Sequence, residues 1–464
     1  MHICHGKEIH NPIFQGLWIF FERKNMENEL FEKAPIHKAY MKMAMPVVMG
    51  MIVTLIYSLV DTYFIALTGN TELIAGISIC APLFTLLLAL GDIFGIGGSS
   101  VISRILGTGD TELAREKSVF CFYSSIVCGV VFTAIMLVFK NKILILLGAT
   151  SDIYSYADQY YSWFILGSAF VIFSLVPSNL LRAEGAAMAS MIGSVFGTVV
   201  NIILDPVLIF GFGLGAAGAA IATVIGYICT CVFFIIYINK KSKVLSLDPR
   251  LLKSDFSSLA AVLSIGLPSS VTNLMQTLGL TMTNRFLQPY GNDNIAIMGI
   301  VLKVVNIAVL VIVGLAFGGQ PLFGYCYGAG NKERLKKFIR FGLTVTGGTG
   351  LFMLIILSIL SRPIISRFLT DPEMINTGIA MLRFQLLGIA FMGMSLTIIC
   401  TFQAMGKALS ALILSACRQG IVYLPCIVIL SFALGLQGVI MAQFVADTMT
   451  LVIAYGLYRN LRMK

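Results

Sequence analysis

The sequence predicts an all-α membrane protein with twelve transmembrane helices, arranged as two six-helix lobes related by a parallel internal repeat. Its composition points to the membrane first: of 464 residues, 58% are hydrophobic and only 12% are charged. Soluble domains carry about 25% charged residues. The second observation is a series of apolar runs of about 20 residues, the length of a helix that crosses a bilayer. Transmembrane strands would instead alternate polar and apolar residues.

Hydropathy places the twelve spans along the whole chain. Their predicted bounds are 40–67, 73–103, 118–139, 157–181, 186–211, 215–239, 258–287, 293–324, 338–361, 378–403, 408–433 and 436–458. The predicted parts are a cytoplasmic N-terminal segment (1–39), an N-lobe of six spans (40–239), a cytoplasmic linker (240–257), a C-lobe of six spans (258–458) and a cytoplasmic tail (459–464). We interpret residues 1–25 as a candidate upstream extension, since Met26 opens a more ordinary start.

Lys and Arg side chains concentrate on one side of the predicted helices. Most of the 32 lie in the N-terminal segment, in every second connection and at the C-terminus. The other connections hold only Lys140, Lys142, Arg285, Arg362 and Arg367. Positively charged loops stay on the cytoplasmic side of a membrane. We therefore expect a multi-pass protein of the bacterial cytoplasmic membrane with both termini in the cytoplasm, and we attribute the net charge of +10 to this bias rather than to nucleic-acid binding.

The two halves of the chain resemble each other. Pro46 precedes a Gly-Asn pair at 69–70 by the same number of residues as Pro268 precedes one at 291–292. The stretch LRAEGAAMASMI before span five also matches FQAMGKALSALI before span eleven. A six-span repeat in the same sense relates the halves by an axis along the membrane normal. This is a transporter architecture, with the substrate site near mid-membrane between the repeats.

Acidic side chains inside the spans are the clearest functional signal. A charge at the centre of a bilayer costs about 2.5–3.5 kcal/mol on insertion scales, so it normally faces a cavity or a partner. Asp61 lies late in span one, and Asp205 lies in span five, one helical turn after Asn201 and next to Pro206. With Thr223 of span six, these oxygens form a candidate site for sodium, or for a proton that a carboxylate removed from water can hold. The alternative for Asp61 is a structural role near a helix end.

Further charged residues lie inside other spans. The candidates for a second-half polar network, or for snorkelling side chains, are Lys303, Arg383, Arg418 and Asp447. Asp92 of span two either pairs with one of these residues or faces the cavity.

Missing motifs disfavour several function classes. The sequence has no Walker A motif, so we expect neither ATP hydrolysis nor a required ATPase subunit. All four His residues (2, 5, 10 and 37) precede span one, which removes His-based catalysis inside the membrane. The ten cysteines include no CxxC pair. We expect no enzymatic activity and no cofactor, apart from a sodium ion or proton as coupling ion.

Four stretches of the chain carry a family resemblance. They read VDTYFIALTG (60–69), SRILGTGD (103–110), NIILDPVLIFGFGLGAAGAAIAT (201–223) and GLAFGGQPLFGYCYGAGN (314–331). With these motifs in order within residues 30–460, the chain resembles the multidrug and toxic compound extrusion (MATE) family. The resemblance implies two six-helix lobes in a V shape around a central cavity, which work by rocker-switch alternating access.

The resemblance also implies roles for particular residues. Asp61, Asn201, Asp205 and Thr223 match the N-lobe positions that bind sodium or a proton in one bacterial branch of the family, and Tyr57 would line the same pocket. The candidates for the substrate cavity are Tyr57, Asp61, Asn179, Asp205, Gln276 and Lys303.

The family's other cation site is not expected here. Family members with a C-lobe site use acidic residues in spans seven and ten. This chain has Thr283, which matches Asp61 in the repeat, and Gln276 in span seven, and Arg383 in span ten. The resemblance therefore favours the N-lobe as the place of cation binding.

These expectations combine into a secondary active transporter. It would export organic cationic amphiphiles in antiport with protons or sodium, as a monomer that needs only its small-molecule cations and the lipid bilayer. The alternative is a flippase for a lipid-linked sugar or related lipid, which would line its cavity with Lys or Arg for phosphate groups. Lys303 and Arg418 are the side chains available for that role.

Overall fold

The computed structural model describes residues 27–252 and 256–462. The first half of the chain forms six membrane-length helices, each continuous or made of two consecutive segments. They are α1 (Ile36–Leu67), α2 (Thr71–Ser78 and Ala81–Thr108), α3 (Thr111–Val138), α4 (Ser151–Leu166 and Ser168–Glu184), α5 (Ala187–Pro206, extended by a π-helical turn at Val207–Gly211) and α6 (Gly215–Lys241). Short helices at Glu27–Glu32 and Lys140–Leu146 lie outside this set.

The second half repeats the arrangement. Its helices are α7 (Phe256–Leu287), α8 (Asn292–Gly328), α9 (Lys332–Ile359), α10 (Pro372–Leu387 and Ile389–Ala404), α11 (Ala408–Ala416, a π-helical turn at Cys417–Ile421, and Tyr423–Leu434) and α12 (Leu436–Arg462). Single turns of 3₁₀ helix occur at Pro249–Leu251 and Gln288–Tyr290, and a short helix at Ser361–Ile365.

The prediction of twelve spans in an all-α fold is confirmed. Within the described residues, eleven helices are long and apolar enough to cross a membrane, and the two segments of α4 form a twelfth span with a bend of 47°. Gly167 lies at this bend, where a Cβ atom would overlap the Val224 side chain of α6. The glycine therefore allows α4 to change direction against its neighbour.

The helices extend slightly into the segments predicted as linker and tail. Both α6 and α7 extend into the predicted linker, since they reach Lys241 and begin at Phe256. Helix α12 continues to Arg462, through most of the predicted tail. The candidate extension at 1–25 lies outside the described residues.

The two lobes contact each other on one side of the bundle. We call the end at which α1 begins and α12 ends the terminal face. From this face towards the middle of the helices, α1 packs on α8 and α2 packs on α7 at glycines. A Cβ atom on Gly318 would overlap the Ala44 backbone, and one on Gly266 would overlap the Ile93 backbone. Small residues of this kind let membrane helices approach backbone to backbone.

Hydrogen bonds between the lobes run from the terminal face to mid-membrane. The Tyr40 hydroxyl of α1 donates to the Leu315 carbonyl of α8 at 3.0 Å. Farther along the same two helices, Ile56 and Ile307 are exposed by 51% and 45%. The helices α1 and α8 are therefore in contact in the halves that lie nearer the terminal face. In their other halves, both helices have exposed apolar side chains.

Candidate functional site

Three helices of the N-lobe meet at the predicted cation site. Asp61 comes from α1, Asn201 and Asp205 from successive turns of α5, and Thr223 from α6. Helices α5 and α6 approach closely at Gly226, where a Cβ atom would lie 2.8 Å from the Gly197 carbonyl oxygen. This close approach brings the Thr223 side chain into contact with α5.

The neutral members of the site form a short chain of hydrogen bonds. Asn201 Nδ2 donates to Thr223 Oγ1 at 3.3 Å, and the Thr223 hydroxyl donates to the Ala219 carbonyl oxygen at 3.0 Å. The Tyr57 hydroxyl lies 3.5 Å from Thr223 Oγ1. Because the Thr223 hydroxyl donates its proton to a backbone carbonyl, its oxygen can only accept hydrogen bonds from the other groups of the site.

The acidic member of α5 lacks a hydrogen-bond donor. Asp205 is fully buried, and among the described residues no group donates to either of its carboxylate oxygens. The side-chain oxygen of Asn201, also buried, is likewise without a donor. A buried polar group in this state costs about 1–3 kcal/mol, and more if it is charged. Three unsatisfied oxygens on adjacent turns of one helix are therefore ready to accept a cation or a proton.

Asp61 belongs to the same group. Its carboxyl group is close enough to that of Asp205 for the two to share a hydrogen bond when one of them carries a proton. Asp61 lies inside α1, more than a turn before its end at Leu67. The structure thus brings together Tyr57, Asp61, Asn201, Asp205 and Thr223, all of the residues predicted for this pocket.

The backbone after Asp205 departs from regular helix. Pro206 has no N–H to donate to the preceding turn, and the chain continues as a π-helical turn at Val207–Gly211. Such turns are frequent at functional sites. The sequence signalled this irregularity through Pro206. It gave no signal for Tyr160 of α4, which lies within electrostatic range of both Asp61 and Asp205.

The donor set suits a small hard cation or a proton. Among the described residues, no group of three or more His, Cys, Asp or Glu side chains lies close enough to hold a metal ion. The site instead combines two carboxylates with amide and hydroxyl oxygens, and hard cations prefer oxygen ligands of this kind.

The other predicted cavity residues lie elsewhere. Asn179 of α4 donates to the Leu175 carbonyl oxygen at 2.8 Å and accepts a hydrogen bond from Arg182. Gln276 of α7 and Lys303 of α8 are exposed on the other lobe. The structure therefore does not join these three residues to the Asp205 pocket.

The predicted second-half network is present in part. Arg418 Nε donates to Asp447 Oδ1 at 3.1 Å inside the C-lobe, and both residues are buried. Lys303 and Arg383 have exposed side chains. Nearby, the Thr283 and Tyr423 hydroxyls are 2.6 Å apart. The C-lobe thus pairs its own buried charges.

The prediction that Asp92 pairs with one of these second-half charges is wrong, whereas the alternative that it faces the cavity stays a prediction. Asp92 Oδ2 accepts a hydrogen bond from Asn273 Nδ2 of α7 at 3.0 Å, and Arg182 of α4 lies within electrostatic range. Neither partner was selected from the sequence. The reason is that Asp92 lies where α2 meets α4 and α7, whereas Arg418 pairs with Asp447 inside the C-lobe and the Lys303 side chain is exposed.

Comparisons with known proteins agree with this architecture. The family model MatE matches the chain twice, at residues 46–207 and 268–429. The multidrug export protein MepA of Staphylococcus aureus (strain MRSA252) is 32% identical over 419 residues, which cover 90% of this chain and 92% of the relative. MepA of Staphylococcus haemolyticus (strain JCSC1435) is 32% identical over 432 residues, with 93% and 95% covered.

Solved structures share the fold. An outward-facing conformation of a multidrug resistance MATE family transporter of the MOP superfamily aligns with a TM-score of 0.89 at 24% identity, covering 95% of this chain and 98% of that one. A mutant of the Vibrio cholerae MATE transporter VcmN aligns with a TM-score of 0.87 at 21% identity, covering 95% and 99%.

The double match also explains the internal repeat. Its two parts begin at Pro46 and Pro268, the prolines that mark the repeat in the sequence, and together they span most of both lobes. With twelve apolar spans among its described residues, when bent α4 is counted as one, this multi-pass membrane protein belongs to the MATE family of transporters.

Proposed function

We propose that this chain exports organic cationic amphiphiles in antiport with protons or sodium ions, by rocker-switch alternating access of a cavity between its lobes. The observation that carries the proposal is the group of unsatisfied oxygens on Asp205 and Asn201, next to Asp61. Among the described residues no group donates to the buried Asp205 carboxylate, and such a carboxylate gains stability when it takes up a cation or proton. Export as the direction is supported by the MepA relatives, which are named multidrug export proteins.

The orientation follows from charge. The terminal face carries most of the Lys and Arg side chains, which supports a cytoplasmic position for both termini in a bacterial cytoplasmic membrane. With this orientation, the described contacts between α1 and α8 lie on the cytoplasmic side, which supports an outward-facing conformation. Each chain contains both lobes of the pathway, so we propose that a monomer is sufficient and that no ATPase subunit is required.

Coupling requires that the ion distinguish the two conformations. A ligand shifts a conformational equilibrium only by its differential affinity for the two states. Asp205 and Asp61 attract an organic cation when they are ionised. Uptake of a proton or sodium ion at the same carboxylates removes that attraction, so cargo is released outward while the coupling ion enters. Asn201 and Thr223 position the oxygens that hold the ion.

The flippase alternative is less well supported. Phosphate recognition needs cationic side chains that are free to face the cavity. Arg418, one of two candidates for that role, is buried and bonded to Asp447. Lys303, exposed on α8, is the other candidate, and a single lysine is too little positive charge for a phosphate site.

Ethidium efflux from a bacterium that lacks its own efflux pumps tests the proposal. Cells expressing this chain are loaded with dye, and efflux is followed while the sodium gradient and the external pH are varied separately. We expect efflux that stops when one of the two gradients is collapsed. Efflux that continues at full rate after both gradients are collapsed contradicts antiport. Failure to export several cationic dyes, together with stimulation by a lipid-linked sugar, would favour the flippase.

A further inference from the structure

A second polar cluster lies near the middle of α2 and α7, at the boundary between the lobes. It consists of Asp92 on α2, Asn179 and Arg182 on α4, and Asn273 on α7. Asn273 donates to Asp92 across the lobe boundary at 3.0 Å. The pocket around Asp205 lies inside the N-lobe, between α1, α5 and α6, and does not include these residues.

The countercharge of Asp92 is already engaged. The Arg182 guanidinium donates a hydrogen bond to Asn179 Oδ1, and Asn179 is held in turn by the Leu175 carbonyl oxygen. Arg182 therefore acts on Asp92 from electrostatic range, while the direct hydrogen bond to the carboxylate comes from Asn273. The N-lobe supplies both charges and the C-lobe supplies a neutral amide.

This division has a consequence for the transport cycle. Alternating access separates the lobes on the terminal side, and α7 moves with the C-lobe while α2 and α4 move with the N-lobe. Asp92 then loses Asn273 and keeps a carboxylate oxygen that faces the opened cavity. Arg182, bonded to Asn179, is not placed to replace that hydrogen bond.

We propose that Asp92 is the carboxylate that binds the positively charged group of an organic cation when the terminal side is open, and that Asn273 takes the place of this group when the lobes close. The proposal rests on the proposed function above. It adds a second contact for the cargo, in the conformation open on the terminal side, to the attraction by Asp61 and Asp205. Closure of the lobes then displaces the cargo from Asp92 into the cavity that opens on the other side.

Binding of ethidium to the purified full-length protein, followed by fluorescence anisotropy, tests this assignment. We expect Asp92→Asn to weaken binding by about tenfold, the equivalent of 1.4 kcal/mol. Asn273→Ala removes the competing amide, and we expect it to tighten binding severalfold. Matched controls are Asp152→Asn, which removes an exposed negative charge of the same lobe, and Thr281→Ala on the exposed part of α7. Both controls should bind as wild type does.

Opposite signs separate cargo binding from a structural role. If Asp92 only held the lobes together, Asp92→Asn and Asn273→Ala would change the affinity in the same direction. Unchanged binding in Asp92→Asn, or unchanged or weaker binding in Asn273→Ala, overturns the proposal. If Asp92→Asn does not fold, the Asn273→Ala variant still tests the proposal, because tighter ethidium binding supports it and weaker binding contradicts it. A wild-type protein that binds and exports ethidium while Asp92→Asn matches it would contradict only this inference. A wild-type protein that does neither contradicts the proposed function.

Discussion

The two lobes use one scaffold in opposite ways. The family model matches both halves at the same separation, so Asp61 corresponds to Thr283 and Asn201 to Tyr423. In the N-lobe, these positions belong to a group with unsatisfied buried oxygens. In the C-lobe, the Thr283 and Tyr423 hydroxyls satisfy each other at 2.6 Å. The repeat therefore preserves the place of a pocket without preserving its chemistry.

The buried charges differ in the same way. Asp205 has no donor among the described residues, and its counterpart in the repeat is Ile427. The C-lobe has its own buried acid, Asp447, but Arg418 neutralises it at 3.1 Å. A fixed guanidinium thus occupies the role in the C-lobe that an exchangeable ion would have in the N-lobe. Under the proposed function, the N-lobe site would exchange its ion during transport, whereas the C-lobe ion pair would stay in place.

The largest expected effect comes from removing the buried charge of the N-lobe site. Asp205→Asn removes the negative charge that attracts the coupling ion, and we expect coupled ethidium efflux to fall to the level of cells without the transporter. Ile427→Val at the matching C-lobe position should leave efflux intact at a stability cost of about 0.5–1.5 kcal/mol. The measurement is dye efflux at varied sodium and pH. Gradient-dependent efflux by Asp205→Asn would disprove the role of this carboxylate.

The next effect tests the C-lobe pair. Arg418→Met leaves Asp447 buried without a countercharge, and we expect a loss of about 3–5 kcal/mol in stability, seen as a lower melting temperature of the purified protein. The double variant Arg418→Met with Asp447→Leu should recover most of that loss, because neither charge is then buried alone. The double variant should also keep ion-coupled efflux. Loss of coupling in a well-folded double variant would show that the C-lobe takes part in exchange.

A matched pair of threonine variants gives a smaller effect. Thr223→Val removes an oxygen from the proposed ion site, and we expect the coupling-ion concentration at half-maximal efflux to rise by about tenfold, since a hydrogen bond to a charged group contributes about 1.5–3 kcal/mol. Thr283→Val removes a hydroxyl from the C-lobe pocket, at the position that matches Asp61, and should cost about 1 kcal/mol of stability without changing the ion dependence. Equal shifts in the two variants would remove the proposed functional difference between the lobes.

The smallest effect concerns Tyr57. Its hydroxyl is 3.5 Å from Thr223 Oγ1, at the limit of a hydrogen bond. We expect Tyr57→Phe to change the ion concentration at half-maximal efflux by about two- to threefold, because a long neutral hydrogen bond contributes about 0.5 kcal/mol or less. A tenfold change would show that the hydroxyl contacts the ion directly, which would sharpen the description of the N-lobe site.

Sequence reasoning reached the fold and the first site for identifiable reasons. Apolar runs and charge asymmetry define spans without tertiary information, and the duplicated Pro and Gly-Asn pattern reports the repeat. Asp205 stood out because an acid next to Pro206 inside an apolar helix is rare. Asn201, one turn away, followed from helical geometry.

The second cluster could not be reached in the same way. Arg182 lies at the end of its predicted span, where a basic residue is ordinary, and Asn273 has no charge to attract attention. Their relation to Asp92 depends on how α2 packs on α4 and α7, which sequence spacing does not report. Contacts between helices far apart in the chain thus remain the part that only the structure supplies.

The glycine contacts between the lobes bear on what must move when the lobes separate. At Gly318 against Ala44 and Gly266 against Ile93, one backbone lies against another with no long side chain interlocked between them. At these two points the helices can part without withdrawing a long side chain. The buried Tyr40 side chain is different, because it lies against Gly319 and Phe341 of the C-lobe and must leave them when the lobes separate. We therefore expect Tyr40, rather than the glycine contacts, to contribute most to the barrier to opening.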